Sequence, residues 1–391
     1  MRIRNLALLI MVMLATAALF AGGVDNKTNQ NVGFVRNVSR NTEHQRPETV
    51  LYNVAGMGFM EDGLVAEVGN QFLYKKYTNE LDTTTYKDEE PVFFFPNAEV
   101  VYKKGKWAFG NAFAVAGGGG NLKYKDGTAL THIMMMGVGS PAHSLDVYSV
   151  TFGDTTAVSY SINEKISVGA AVRVLYTTQK MSMDVTGYGE TSYDANGWGI
   201  GGIFSVHYKP TEKWDLVAQY RTITKMECDV KDKEGTFASV IQGSFDNDMP
   251  AELNLGLGYQ LGKANLSMSL NYYFNKQADL GNALSADNSD YDDSWEIAGG
   301  VDYQLTDKVL VSGGVMYTKN GYKKTVNNVL SPAIDCLCFS AGGEYKLNNK
   351  LTLSAGALYG LYFEDKYQTG PYEIELDRTV IAGCLSATYK F

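Results

Sequence analysis

The side chains able to do chemistry in this chain of 391 residues are few and scattered. His44, His132, His143 and His207 lie far apart, no GxSxG or HExxH motif occurs, and no nucleophile and base share a local signature. The reading is therefore of a protein that is not an enzyme. Cys336 and Cys338 flank one residue, which in an extended segment puts both thiols on one face. No His or Cys cluster completes four ligands around them, so they read as ordinary side chains and no metal or cofactor is expected. The acidic loop Asp287, Asp290, Asp292 and Asp293 lacks EF-hand spacing and its glycine, and reads as solvated. What remains is apolar. Phe34, Leu51, Met57, Phe59 and Met60 would be costly to leave in water, and Met134, Met135 and Met136 repack readily around flexible shapes. These eight are the candidate contacts for an apolar ligand. The alternative for the methionine run is that it packs its loop onto the structure beneath.

The elements that position them are read from Leu253 to Asn275, where a strict two-residue period runs along both arms of one hairpin. Leu253, Leu255, Leu257, Tyr259 and Leu261 share a face opposite Asn254, Gly256, Gly258 and Gln260. Leu266, Met268, Leu270, Tyr272 and Phe274 repeat this beyond the turn Gly262-Lys263-Ala264. Such strands need apolar surroundings on one side and polar on the other, as in a soluble sandwich or a membrane barrel with a wet lumen.

Turn spacing separates the two. Fourteen alternating segments follow Leu64. Six tight turns join them, each with a lysine (Lys104-Gly105-Lys106, Asn163-Glu164-Lys165, Thr211-Glu212-Lys213, Gly262-Lys263-Ala264, Thr306-Asp307-Lys308 and Asn348-Asn349-Lys350). Seven longer polar loops alternate with them, roughly residues 78–92, 116–146, 177–195, 223–249, 276–293, 319–334 and 363–372. Placing every long loop at one end is the asymmetry of an outer-membrane barrel. Trp107 and Trp214 follow turn lysines while Trp198 and Trp295 open strands entered from long loops, so all four are candidates for the aromatic girdles. The last strand ends on Tyr389 and Phe391, in the manner of the terminal strand read by the barrel assembly machinery.

Composition agrees: 41 Gly, 26 Tyr and 17 Phe against 8 Pro, with 20% charged residues, suit strands and turns rather than a helical bundle. A net charge of −9 argues against nucleic acid as a partner. Arg2 and Arg4, the apolar run Leu6 to Phe20 and the small residues after it read as a cleaved export signal, residues 1–21. Residues 22–62 lack the two-residue period and read as a plug, with a disordered linker as the alternative; residues 63–391 read as the transmembrane barrel.

The stretches TNQNVGFVRNVSRN, LYNVAGMGFMEDG, DMPAELNLGLGYQL, LSMSLNYYF and DDSWEIAGGVDYQLTDK resemble the outer-membrane long-chain fatty acid and hydrocarbon transporters of the FadL and TodX type, over nearly the whole mature chain. The resemblance implies an all-β, antiparallel barrel of about fourteen strands with an N-terminal hatch in its lumen. It also implies passive, hatch-gated uptake of hydrophobic compounds, with lateral release beside a kinked third strand. Contact with outer-membrane lipid and lipopolysaccharide follows from that setting, and both termini would be periplasmic. In the hatch turn Asn53, Ala55 and Gly56 match the family's Asn-Pro-Ala-Gly, whereas Val54 replaces proline and its locked φ. For the kink the candidates are Gly110 and Asn111. Asn111 shares the expected lipid face of Trp107, Phe109, Phe113 and Val115, where a polar side chain is costly; the alternative is an Asn near the rim. The competing functions are a general diffusion porin and an adhesive or structural barrel.

Overall fold

The computed structural model describes residues 31–136, 143–279, 291–324, 329, 330 and 332–391. The expected signal segment, the first residues of the expected plug, Asp287, Asp290 and the side chain of Met134 lie outside the described residues.

Fourteen strands form the wall: β1 Gly63–Leu81, β2 Val92–Lys104, β3 Trp107–Tyr124, β4 His143–Ser161, β5 Ile166–Val185, β6 Gly189–Tyr208, β7 Trp214–Arg221, β8 Ala251–Leu261, β9 Ala264–Phe274, β10 Ser294–Gln304, β11 Val309–Lys319, β12 Cys336–Lys346, β13 Leu351–Tyr362 and β14 Tyr372–Lys390. Each pairs antiparallel with the next. β14 returns to β1 from Val65↔Lys390 to Glu80↔Glu375, which closes the sheet. Closure removes the free edges of the sheet, the condition it must meet in hydrocarbon, except where β2 and β3 part beyond Phe113. Among the described residues no helix is long and apolar enough to cross a membrane. The hairpin read from the sequence is β8–β9, paired from Ala251↔Phe274 to Leu261↔Ala264. Its Gly262 sits at φ 58°, the left-handed conformation a tight hairpin turn demands.

The alternation of side chains has the polarity of a membrane barrel. Leu255, Leu257, Leu266, Met268 and Leu270 are exposed on the outer wall, while Asn254, Ser269 and Asn271 are buried inside. An apolar surface recurring on nearly every strand is intolerable in water and natural against lipid.

Two expectations are corrected. Several of the long loops are instead strand extensions. Residues 177–195 form the continuation of β5 and β6, paired to Val185↔Gly189 around Thr186-Gly187-Tyr188. Cross-strand contacts drive this, with Met181 opposite a buried Tyr193 on one face and Lys180 bonded to Asp194 at 2.7 Å on the other. Trp198 therefore lies within β6 rather than at its start. The short strands Thr84–Asp88, Glu227–Gly235, Ser244–Asp246 and Asp365–Thr369 extend the wall in the same way at three other loops.

The second correction concerns β3. Register runs evenly through Gly110 and Asn111, opposite Ala157 and Thr156 of β4, and breaks between Val115 and Gly120. Asn111 needs no bend because its amide donates to Asp154 Oδ1 at 3.0 Å and Thr156 Oγ1 at 3.0 Å on the outer wall. Val115, expected to face lipid, is buried next to a buried Ala114, so the two-residue period is lost there. Gly118 and Gly120 hold φ of 90° and 73° within the bulge. Pairing of β3 with β2 ends at Ala98↔Phe113, although both strands continue past it.

Candidate functional site

Residues 31–60 lie inside the barrel, almost wholly buried, as α1 Val32–Arg36, α2 Thr49–Tyr52 and the 3₁₀ helix Val54–Phe59. Asn31 caps α1 by accepting from Phe34 N at 3.2 Å, and the Tyr52 hydroxyl donates to the same Asn31 oxygen at 3.0 Å. The Phe34 and Tyr52 rings stack at 6.3 Å, tying α1 to α2.

Charge fixes this segment to the wall. Arg36 pairs with Asp302 at 2.9 Å and Glu344 at 3.0 Å, and Arg40 with Asp302 at 3.0 Å, Glu43 and Glu48. Arg46 donates to Glu344 Oε2 at 2.5 Å. Three guanidiniums thus face four carboxylates, which leaves one negative charge in excess if all are ionised. Glu48 carries the largest burden of it: burial raises its carboxyl above the ordinary range, reinforced by Glu43 and opposed by Arg40 and Arg36. Glu43 behaves oppositely. Burial pushes it up, but Arg40, Arg46, His44 and the Gln45 N–H outweigh that and hold it at about 2.

A second seam joins the segment to β6 and β7. Asn53 Oδ1 accepts from Gly56 N at 3.1 Å, capping the 3₁₀ helix, while its Nδ2 donates to Glu43 O at 2.9 Å and to His207 Nδ1 at 3.0 Å. His207 Nε2 donates to Asp215 Oδ1 at 2.8 Å. Val54 N donates to Gln219 Oε1 at 2.9 Å, a bond proline could not make, so this turn exchanges a locked φ for a tether to the wall.

His44, His207 and Asp215 form the one group of metal-ligand types among the described residues, with candidate ligand atoms within 4.8 Å of one another. In the sequence the histidines stand far apart and give no sign of it. Hydrogen bonding directs the group to protons rather than a metal. His44 Nδ1 contacts Thr42 O at 3.0 Å, its Nε2 faces Lys209 Nζ at 3.3 Å, and Asn53 occupies the remaining nitrogen of His207.

The other candidate residues divide by place. Met57 is fully buried under β3, where a Cβ added at Gly110 would stand 2.6 Å from its Sδ and 2.5 Å from Val50 Cγ2. Gly110→Leu is expected to lower stability by about 1–3 kcal/mol through overpacking, read as a fall in thermal midpoint and loosening of residues 50–57 in hydrogen exchange. Leu51 lines a cavity of ≈ 20 Å³ with Ala114, Ala116, Gly153, Ile203, Arg173 and Arg221, beside the β3 bulge. Phe59 borders an open cavity of ≈ 790 Å³ among the turns at residues 103–106 and 161–165, and Met60 is buried. Met135 is buried and Met136 exposed on the loop helix Ala129–Met136. Trp107, Trp198 and Trp214 are exposed on the outer wall and Trp295 is half-buried there; Tyr389 and Phe391 meet edge to face at 4.9 Å. Glu252, Glu296, Asp302 and Glu344 are all buried inside. Sequence reasoning gave Arg36, Arg40, Arg46, Arg173 and His207 no role; for Arg173 the available signal was a charge inside the apolar run Ala170–Leu175.

The family described as outer membrane protein transport protein (OMPP1/FadL/TodX) matches residues 12–391. A Pseudomonas aeruginosa FadL homologue superposes with a TM-score of 0.76 at 15% identity, covering 95% of this chain and 100% of that one. The P. putida toluene transporter TodX gives 0.68 at 16% identity over 95% and 99%, and the Ralstonia pickettii toluene transporter TbuX 0.64 at 15% over 95% and 99%. No curated protein sequence matches the chain. These relatives are transporters and channels rather than enzymes. With a full-length family match and a closed barrel of the same fold, this chain belongs to the OMPP1/FadL/TodX family of outer-membrane transport proteins for hydrophobic compounds.

Proposed function

We propose that the protein is a hatch-gated channel for amphiphiles with an apolar body and an anionic head, long-chain fatty acids above all. The observation that carries this reading is Arg173 on β5. It faces the lumen beside the small cavity; among the described residues its one hydrogen bond goes to Thr224 Oγ1 at 3.3 Å and its Nε is buried without a partner. Arg221 next to it is paired with Glu252 at 3.3 Å, whereas Arg173 has no carboxylate within ion-pair distance among the described residues. A desolvated guanidinium lacking its counter-ion is costly, and an arriving carboxylate removes that cost.

A cavity of ≈ 20 Å³ holds one water and not an acyl chain. Residues 22–62, as the hatch, must therefore move for a ligand to enter. The parting of β2 and β3 beyond Phe113 supports lateral exit into the membrane at the bulge. In this reading the signal segment is cleaved and both termini and the short turns face the periplasm. The tryptophans sit at the lipid interfaces, lipopolysaccharide surrounds the long-loop end, and Tyr389 and Phe391 belong to the strand read during assembly.

TodX and TbuX are toluene transporters, and a neutral aromatic would make no use of Arg173. The two ligand classes separate in one experiment. Arg173→Met is expected to weaken binding of oleate at least about tenfold, the loss of a charge-assisted bond, while leaving toluene binding unchanged. Equal oleate affinity in both proteins would remove the anionic head from the reading.

A further inference from the structure

We propose that His207 is a proton-operated latch between the N-terminal segment and the barrel wall, closed while the imidazole is neutral and opened when it is protonated. The function of the latch rests on the hatch reading; its geometry does not. Asn53 Nδ2 spends its two protons on Glu43 O at 2.9 Å and His207 Nδ1 at 3.0 Å, so that ring nitrogen must be an acceptor. The proton of the neutral ring then sits on Nε2 and is donated to Asp215 Oδ1 at 2.8 Å. A second proton has only Nδ1 to occupy. There it meets the N–H of Asn53, donor against donor.

Turning the amide over does not repair the clash. Asn53 Oδ1 would then accept from the imidazolium, but its Nδ2 would face Gly56 N–H, now held at 3.1 Å, and its oxygen would face the Glu43 carbonyl. Ser205 Oγ, 3.3 Å from Asn53 Oδ1, can rotate to suit either state, whereas the two backbone groups cannot. One proton on His207 thus breaks its bond to Asn53, and the amide turn that would restore it costs the cap of Val54–Phe59 and the cross-tie to Glu43 together.

The charges around His207 come from three elements. Asp215 on β7 favours the imidazolium. Lys209, beyond the end of β6, opposes it, with its Nζ 3.6 Å from Asp215 Oδ1 and 3.3 Å from His44 Nε2. His44 of the N-terminal segment packs edge to face on His207 at 5.3 Å and opposes it when charged. Glu43 faces His44 in turn, accepting from its N–H at 3.0 Å. His132 and His143 lie at the other end of the barrel, so acid acts on the segment's histidine chemistry at this seam alone among the described residues.

Hydrogen exchange of the full-length protein in lipid nanodiscs, without ligand, tests the latch from about pH 7.5 stepwise down to about pH 4. After correction for intrinsic exchange, residues 53–60 are expected to lose protection about five- to tenfold in acid, the scale of one hydrogen bond, while Val32–Arg36 on the far wall is unchanged. His207→Gln keeps an acceptor and a donor but cannot titrate, and should abolish the response. Asn53→Ala should show the acid level of exchange already at neutral pH, which reads the latch even if His207→Gln does not assemble. Loss spread evenly over the whole segment, a response that survives in His207→Gln, or one abolished only by His44→Gln would overturn the proposal. Because no ligand is present, failure of the fatty-acid reading leaves this result intact.

Discussion

Removal of residues 24–60 is expected to turn a nearly silent protein into a steadily conducting pore in planar bilayers. The wall does not depend on that segment for closure, since β1 and β14 pair along sixteen positions, Val65↔Lys390 to Glu80↔Glu375. The lumen does depend on it. Phe34, Val50, Tyr52, Val54 and Met57 are each 1% exposed or less, and the cavity beside Leu51 measures ≈ 20 Å³. Their deletion leaves Asp302, Glu344, His207 and Gln219 facing a channel that water fills, so these polar groups are rehydrated rather than stranded. The deleted protein should still run as a folded barrel that unfolds only on heating. Its uptake of an apolar substrate should become ungated, indifferent to changes that loosen or tighten the hatch. Steady conductance from the full-length chain would point to a diffusion porin. Unchanged conductance and uptake after deletion would refute the assignment of these residues as the gate.

The wall of this barrel is legible because its physics is local. A lipid-facing strand must place an apolar side chain at every second position, so the pattern in Leu253–Leu261 or Leu266–Phe274 survives in a single sequence, and turn lysines punctuate it. Beyond the bilayer that constraint lapses. The continuation of β5 and β6 past Tyr176 and Trp198 carries Lys180, Ser182, Asp194 and Ser192, which read as loop yet pair as strand because their partners lie across the hairpin. The β3 bulge, between Val115 and Gly120 rather than at Asn111, is hidden for a related reason. Asn111 looks unsatisfied along its own strand, and Asp154, which satisfies it, is 43 residues away. The site is hardest of all to read. His44 and His207, or Arg36 and Asp302, are separated by the whole path of the chain around the barrel, and no period or spacing encodes which inward-facing residue meets which.

Arg40→Met is expected to undock the N-terminal segment more than any other single substitution in it. Arg40 is 4% exposed and bridges Glu43, Glu48 and Asp302. Methionine fills much of the volume but leaves three carboxylates around an apolar stem, and breaking such a buried network costs about 3–5 kcal/mol. Exchange across residues 31–60, referenced to the barrel strands, reads the loss directly. The pH dependence should change with a definite sign. Glu43 lies at about 2 in the docked state against an ordinary 4.5, so it contributes stability above its ordinary value that disappears as pH falls toward about 2. Arg40 is the largest favourable influence on that carboxylate, so without it the acid-induced loosening begins at higher pH. Glu48 acts in the other direction. Its carboxyl is raised, so it stabilises docking while protonated and ceases to as pH rises through its docked value. Removing Arg40 leaves that charge more costly still. Glu48→Gln in the Arg40→Met background should therefore recover about 1–2 kcal/mol, a coupling that a double-mutant cycle isolates. If the double variant is no more stable than Arg40→Met alone, Glu48 is not the carboxylate on which the excess of negative charge falls.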